Sequence, residues 1–159
     1  MKRISALTIV ALIGCVGATA DAAIINYVFP IDGSQVNPPV PTPATGTGNV
    51  TLDTVTRVLN WNITFSGLLY PQTAAHFHGP ALPNQNAGVQ VGIGVGSPAV
   101  GNAVLSIGQS ADLQAGLWYV NIHTTVYGGG EIRGQVVPEP ASLALLAVGA
   151  LAVIRRRRR

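Results

Sequence analysis

Val58-Leu59-Asn60-Trp61-Asn62-Ile63-Thr64-Phe65 alternates apolar and polar side chains without a break. Successive residues of a strand point to opposite faces, so Leu59, Trp61, Ile63 and Phe65 share one side and Asn60, Asn62 and Thr64 the other. One side is core and the other is wet, the pattern of an antiparallel sheet with a solvated face. Upstream, Asn49-Val50-Thr51-Leu52-Asp53 supplies a matching arm, joined through residues 54–57. Farther back, Ala23-Ile24-Ile25-Asn26-Tyr27-Val28-Phe29 is rich in strand-favouring residues and forms the first strand. Between these runs, Pro38, Pro39, Pro41 and Pro43 exclude a helix interior or a central strand. Residues 31–48 are therefore expected to be an extended loop or edge, a linker with no function of its own. Asn49-Val50-Thr51 and Asn62-Ile63-Thr64 match the glycosylation acceptor pattern and are read as ordinary strand residues.

Working forward, Ala75-His76-Phe77-His78-Gly79-Pro80 holds two of the three histidines, and alternation puts His76 and His78 on one face. A turn-rich loop over residues 79–88 leads to Val89-Gln90-Val91-Gly92-Ile93-Gly94-Val95-Gly96, read as a strand. Its alternate glycines leave one face bare, for close approach of another backbone or for a bend. Ser97 and Pro98 follow, so Gly92-x-Gly94 is no dinucleotide loop, and no Gly-x-Ser-x-Gly elbow occurs. Ser110-Ala111-Asp112-Leu113-Gln114-Ala115-Gly116 reads as one or two helical turns, with Ser110 as N-cap and Gly116 as the stop. Trp118-Tyr119-Val120-Asn121-Ile122-His123-Thr124 is a strand with Trp118, Val120 and Ile122 inward and Tyr119, Asn121 and His123 opposite. After the turn Tyr127-Gly128-Gly129-Gly130, residues 131–137 return with Ile132 and Val136 inward. Glu131, Arg133 and Gln135 then share the face of His123. Short strands, turn signals and almost no helix define an all-β chain, an antiparallel sandwich or barrel.

The 159 residues leave room for one modest domain and its signals, and the formal charge of +3 belongs to the ends. Between residues 21 and 137, Arg57 and Arg133 stand against Asp21, Asp32, Asp53, Asp112 and Glu131, a net of −3. A nucleic-acid partner needs Lys and Arg spread over a folded surface, so that class is excluded. Met1-Lys2-Arg3, an apolar run over residues 4–16 and small residues up to Ala23 make a secretory signal peptide over residues 1–22, cut after Ala20 or Ala22. An alternative is a lipoprotein signal at Leu12-Ile13-Gly14-Cys15, in which Cys15 becomes an acylated first residue. No other cysteine is present, so the β domain over residues 23–137 is held by its core, without disulfides.

Residues 138–159 begin with Pro138-Glu139-Pro140, continue through an apolar helix over residues 141–154 and end in Arg155, Arg156, Arg157, Arg158 and Arg159. Each Arg at a bilayer centre costs about 2.5–3.5 kcal/mol, so the five stay cytoplasmic. This tripartite tail resembles the PEP-CTERM sorting signal of bacteria that secrete exopolysaccharide. The resemblance implies an exosortase-type processing protease, the secretion machinery, and a transient membrane anchor. The alternative is a plain tail anchor.

Three ordered motifs, Ala75-His76-Phe77-His78-Gly79-Pro80-Ala81, residues 111–124 ending in Asn121-Ile122-His123-Thr124, and Gly130-Glu131-Ile132-Arg133-Gly134-Gln135, resemble the CHRD domain, first named from chordin. The resemblance implies an immunoglobulin-like β-barrel and no enzymatic activity. Relatives often carry a proline before Glu131, where this chain has Thr125-Val126-Tyr127-Gly128-Gly129-Gly130.

His76, His78, Asn121, His123, Glu131 and Arg133 are expected to form a polar cluster. The preferred reading is structural, with the histidines bonded to Asn121, Glu131 and Arg133, and a partly buried Glu131 paired with Arg133. No catalytic residue, metal or other cofactor is then expected. The alternative is a small metal-binding protein or metalloenzyme holding Zn²⁺ or Cu²⁺ on His76, His78 and His123. Lacking an acidic pair, an activated Ser or a usable Cys, the chain is not read as a hydrolase. The expected protein is an exported, non-enzymatic domain of the cell surface or extracellular matrix that binds protein or polysaccharide.

Overall fold

The computed structural model describes residues 23–137. Its strands are β1 Ile24–Asp32, β2 Thr45–Asp53, β3 Val58–Ser66, β4 Gln72–His78, β5 Val89–Gly92, β6 Ala99–Val104, β7 Trp118–Thr124 and β8 Ile132–Val136. A helix, α1 Ile107–Gln114, stands between β6 and β7. The strands order as β5-β4-β7-β8-β1-β2-β3-β6, all pairs antiparallel. The step from β8 to β1 carries one register pair, Asp32 with Arg133. Four strands on each side of this joint fold over one another into a nearly closed barrel. Trp61 of β3 and Phe77 of β4 lie near opposite ends of the order, yet their rings meet edge to face at 5.5 Å across the interior.

Alternation decides what fills that interior. Tyr27, Phe29 and Ile31 of β1, and Leu59, Trp61 and Ile63 of β3, are buried, as are Trp118, Val120 and Ile122 of β7. Burying each such side chain is worth about 1.5–3 kcal/mol, which is what fixes the register in a chain without disulfides. The Phe29 ring lies against the backbone of Gly48 and of Gly134, where a side-chain methyl at either position would collide with it.

One strand is added to the sequence reading and three local expectations change. Ala99–Val104 forms β6, paired with β3 from Ile63↔Ala99 to Val58↔Val104, although nothing in its composition announced a strand. Helix α1 starts earlier than expected: Ser106, not Ser110, is the N-cap, its Oγ accepting from the Gln109 N–H while Gln109 Oε1 accepts from the Ser106 N–H. Ser110 is buried one turn inside. Strand β5 stops at Gly92, and Gly94 and Gly96 take φ of +101° and +96°, so the alternate glycines make a bend. A side-chain methyl at any of the three glycines would meet nothing within 4 Å, so close packing is not what they serve. The proline-rich segment over residues 36–44 is a packed strap, with Val36 and Ala44 buried and the Thr42 hydroxyl donating to Glu131 Oε1 at 2.8 Å. The signal peptide expected over residues 1–22, including Cys15, and the tail over residues 138–159 lie outside the described residues.

Candidate functional site

Strands β4 and β7 pair with His76 opposite Asn121 and Ala74 opposite His123, which brings all three histidines onto one patch. Their ring centroids form a near-equilateral triangle: 5.5 Å from His76 to His78, 5.2 Å from His76 to His123 and 5.5 Å from His78 to His123. One ligand nitrogen from each ring lies within 4.8 Å of the other two. His78 is buried, while His76 and His123 are half-buried at the mouth of the patch.

Two loops fix the ring orientations. His78 Nδ1 meets the Ala87 carbonyl at 3.0 Å and His123 Nδ1 meets the Gly128 carbonyl at 2.9 Å. A carbonyl oxygen only accepts, so Nδ1 of each ring carries the proton and, in the neutral ring, Nε2 carries a lone pair. Those two Nε2 atoms face each other at 3.3 Å. His76 Nδ1 is buried with no hydrogen-bond partner. Burial depresses the proton affinity of His78 and His123; the carbonyl contacts push it up, neighbouring histidines push it down, and the net shift is downward for both.

The other members of the expected cluster do different work. Asn121 donates from Nδ2 to the Gly129 carbonyl at 2.8 Å and so holds the turn beside His123. Arg133 lies over the Tyr119 ring, 3.5 Å from its centroid, and donates to the Gln85 carbonyl at 2.8 Å and to Gln135 Oε1 at 2.8 Å. Burial lowers the Arg133 pKa and Tyr119 works against that shift. Gln135 donates to the carbonyls of Ala81 and Gly116, and Tyr119 both stacks on His78 and bonds Ala87. Arg133, Gln135 and Tyr119 together clamp loop 79–88 onto the sheet. Tyr119 shares the alternation of Asn121 and His123, which is the signal that could have placed it in the cluster.

Glu131 departs from the expected pairing with Arg133. It is fully buried, and Oε1 accepts from the Thr42 hydroxyl at 2.8 Å and from the Leu69 N–H at 2.7 Å, tying down the strap. Its Oε2 has no partner. The reason is position: Glu131 immediately precedes β8, at the strand end reached by Thr42 of the strap, whereas Arg133 sits inside β8 beneath loop 79–88.

A second surface lies on the other half of the barrel. The outer faces of β1, β2, β3 and β6 align Asn26, Thr51, Asn60 and Asn102 in one row and Val28, Asn49, Asn62 and Val100 in the next. Asn26, Asn49, Asn60 and Asn62 border a shallow groove of about 370 Å³. Charged side chains of these strands stand only at the ends of that face, at Asp32 and Asp53.

Residues 27–136 match the family model described as the CHRD domain, and residues 136–159 match that of the PEP-CTERM protein-sorting motif. No curated protein and no solved structure matches the chain. Pro138, Glu139, Pro140 and the five terminal arginines fall within the second match.

Proposed function

The chain belongs to the CHRD domain family, and from that premise we propose that its body binds a neutral polysaccharide in the extracellular matrix. The PEP-CTERM motif indicates export, membrane anchoring at the cell surface, and processing by exosortase and the secretion machinery. Neither family is enzymatic, so a binding role is the natural one for the body.

The uncharged asparagine and threonine face carries the reading. Each amide offers two donors and an acceptor, and each hydroxyl one donor with acceptor lone pairs, the complement of a sugar hydroxyl array. Four neighbouring strands hold the backbone positions that carry these groups at fixed spacing. The absence of lysine and arginine from this face argues for a neutral polymer over an acidic or phosphorylated one. A protein partner finds less support, because the face lacks the aromatic and arginine anchors that dominate protein interfaces.

Affinity electrophoresis of the exported protein through gels containing the host exopolysaccharide tests this. Retardation is expected for neutral fractions, and an Asn60→Ala/Asn62→Ala variant should bind about tenfold more weakly, a loss of about 1.4 kcal/mol. Equal retardation of the variant, or retardation by acidic fractions only, would overturn the proposal.

A further inference from the structure

We propose that His76, His78 and His123 form a tetrahedral Zn²⁺ site with a fourth position open to water or an external ligand. The inference is independent of the polysaccharide surface, which lies on other strands. Its first support is spacing. With Zn–N bonds of about 2.0–2.1 Å, two ligand nitrogens at a tetrahedral angle stand about 3.3 Å apart, and imidazole centroids in line with the bonds stand about 5.2 Å apart. Nε2 of His78 and Nε2 of His123 are 3.3 Å apart, and the three centroids are separated by 5.2 to 5.5 Å. A square-planar pair would need about 2.8 Å, which counts against a tetragonal Cu²⁺ site.

Its second support is the state of the lone pairs. The carbonyls of Ala87 and Gly128 fix Nδ1–H on His78 and His123, so two acceptors are aimed at one another with no hydrogen to share. That arrangement is repulsive in the neutral rings, and it is relieved when a cation takes both lone pairs. Backbone carbonyls holding the distal N–H of each ring are the usual outer support of zinc-bound histidines.

The third support is His76, whose Nδ1 is buried and unpartnered. Asn121, Glu131 and Arg133 bond elsewhere, so hydrogen bonding among side chains does not account for three imidazoles gathered here. The donor set is purely nitrogen, since the Glu131 carboxylate is held by Thr42 and Leu69. That excludes Ca²⁺ and Mg²⁺, which require oxygen ligands. His76 and His123 are half-exposed, so the fourth position opens outward.

The full chain, carrying an affinity tag without histidine, is purified in mild detergent, stripped with chelator and dialysed against Zn²⁺. One equivalent of metal per chain is expected, with a rise in melting temperature on Zn²⁺ addition. Co²⁺ substitution should give the intense visible bands of tetrahedral coordination. His78→Gln/His123→Gln should abolish stoichiometric binding, and the milder His76→Gln should weaken it at least tenfold. Failure to retain Zn²⁺, weak octahedral Co²⁺ bands, or unchanged affinity in His76→Gln would each overturn the site. The wild-type spectrum and His76→Gln decide the matter even if the double variant does not fold.

Discussion

Glu131 and Arg133 are two residues apart, carry opposite charges and are both buried, yet each is satisfied by different parts of the chain. Glu131 anchors the strap over residues 36–44 to the barrel, and Arg133 anchors loop 79–88. Sequence shows that a buried carboxylate needs partners, but not that a neutral hydroxyl 89 residues away and a backbone N–H will supply them. Removing Glu131 would leave the Leu69 N–H and the Thr42 hydroxyl without their acceptor. An unsatisfied buried polar group costs about 1–3 kcal/mol, partly offset here because the orphaned Oε2 would no longer be buried. Glu131→Ala is therefore expected to lower unfolding stability by about 2 kcal/mol, read as a reduced denaturation midpoint with an unchanged m-value. An unchanged midpoint would mean that burying the carboxylate already cancels what its hydrogen bonds contribute.

At the level of elements, the start of α1 is set by side-chain chemistry that can be tested directly. The reciprocal bonds between Ser106 and Gln109 satisfy two N-terminal donors, so Ser106→Ala should cost about 1 kcal/mol and speed amide exchange in the first turn. If instead the first turn exchanges at the wild-type rate, the capping box contributes nothing. Ser110 was the more visible cap in the sequence because Asp112 and Gly116 follow it, and the earlier Ser-x-x-Gln signal at Ser106 is equally local. Strands β3 and β7 were legible because seven or more residues alternate cleanly between apolar and polar, although burial follows the two-residue period only in β3, both faces of β7 being covered. Strand β6 was not, since Ala99-Val100-Gly101-Asn102-Ala103-Val104 is small, short and interrupted by glycine, and pairing with β3 alone makes it a strand. The histidine patch follows the same rule. Alternation put His76 and His78 on one face, but the approach of His123 depends on which strands are neighbours, a tertiary fact that periodicity does not contain.

For the molecule as a whole, the histidine patch and the asparagine face occupy separate halves of one barrel, joined between β8 and β1 by the single register pair Asp32↔Arg133. The chain leaves this body at Val137, whose side chain lies against Gly116, and the sorting motif begins at residue 136. Among the described residues no helix is long and apolar enough to cross a membrane. If anchoring resides in residues 138–159, a chain truncated after Val137 should still be exported but should move from the membrane fraction to the soluble exported fraction. Its barrel should remain intact, because the eight described strands and the core they enclose lie within residues 23–137. Fractionation of the native host with an antibody to the body reads the outcome. Retention of the truncated chain on membranes, reversed by Cys15→Ser, would move the anchor to an acylated N-terminus. Retention that persists in Cys15→Ser would place the membrane contact on the barrel itself. Because the five terminal arginines resist passage through the bilayer, changing Arg155 through Arg159 to Gln in the full-length chain should weaken retention in the same direction as truncation.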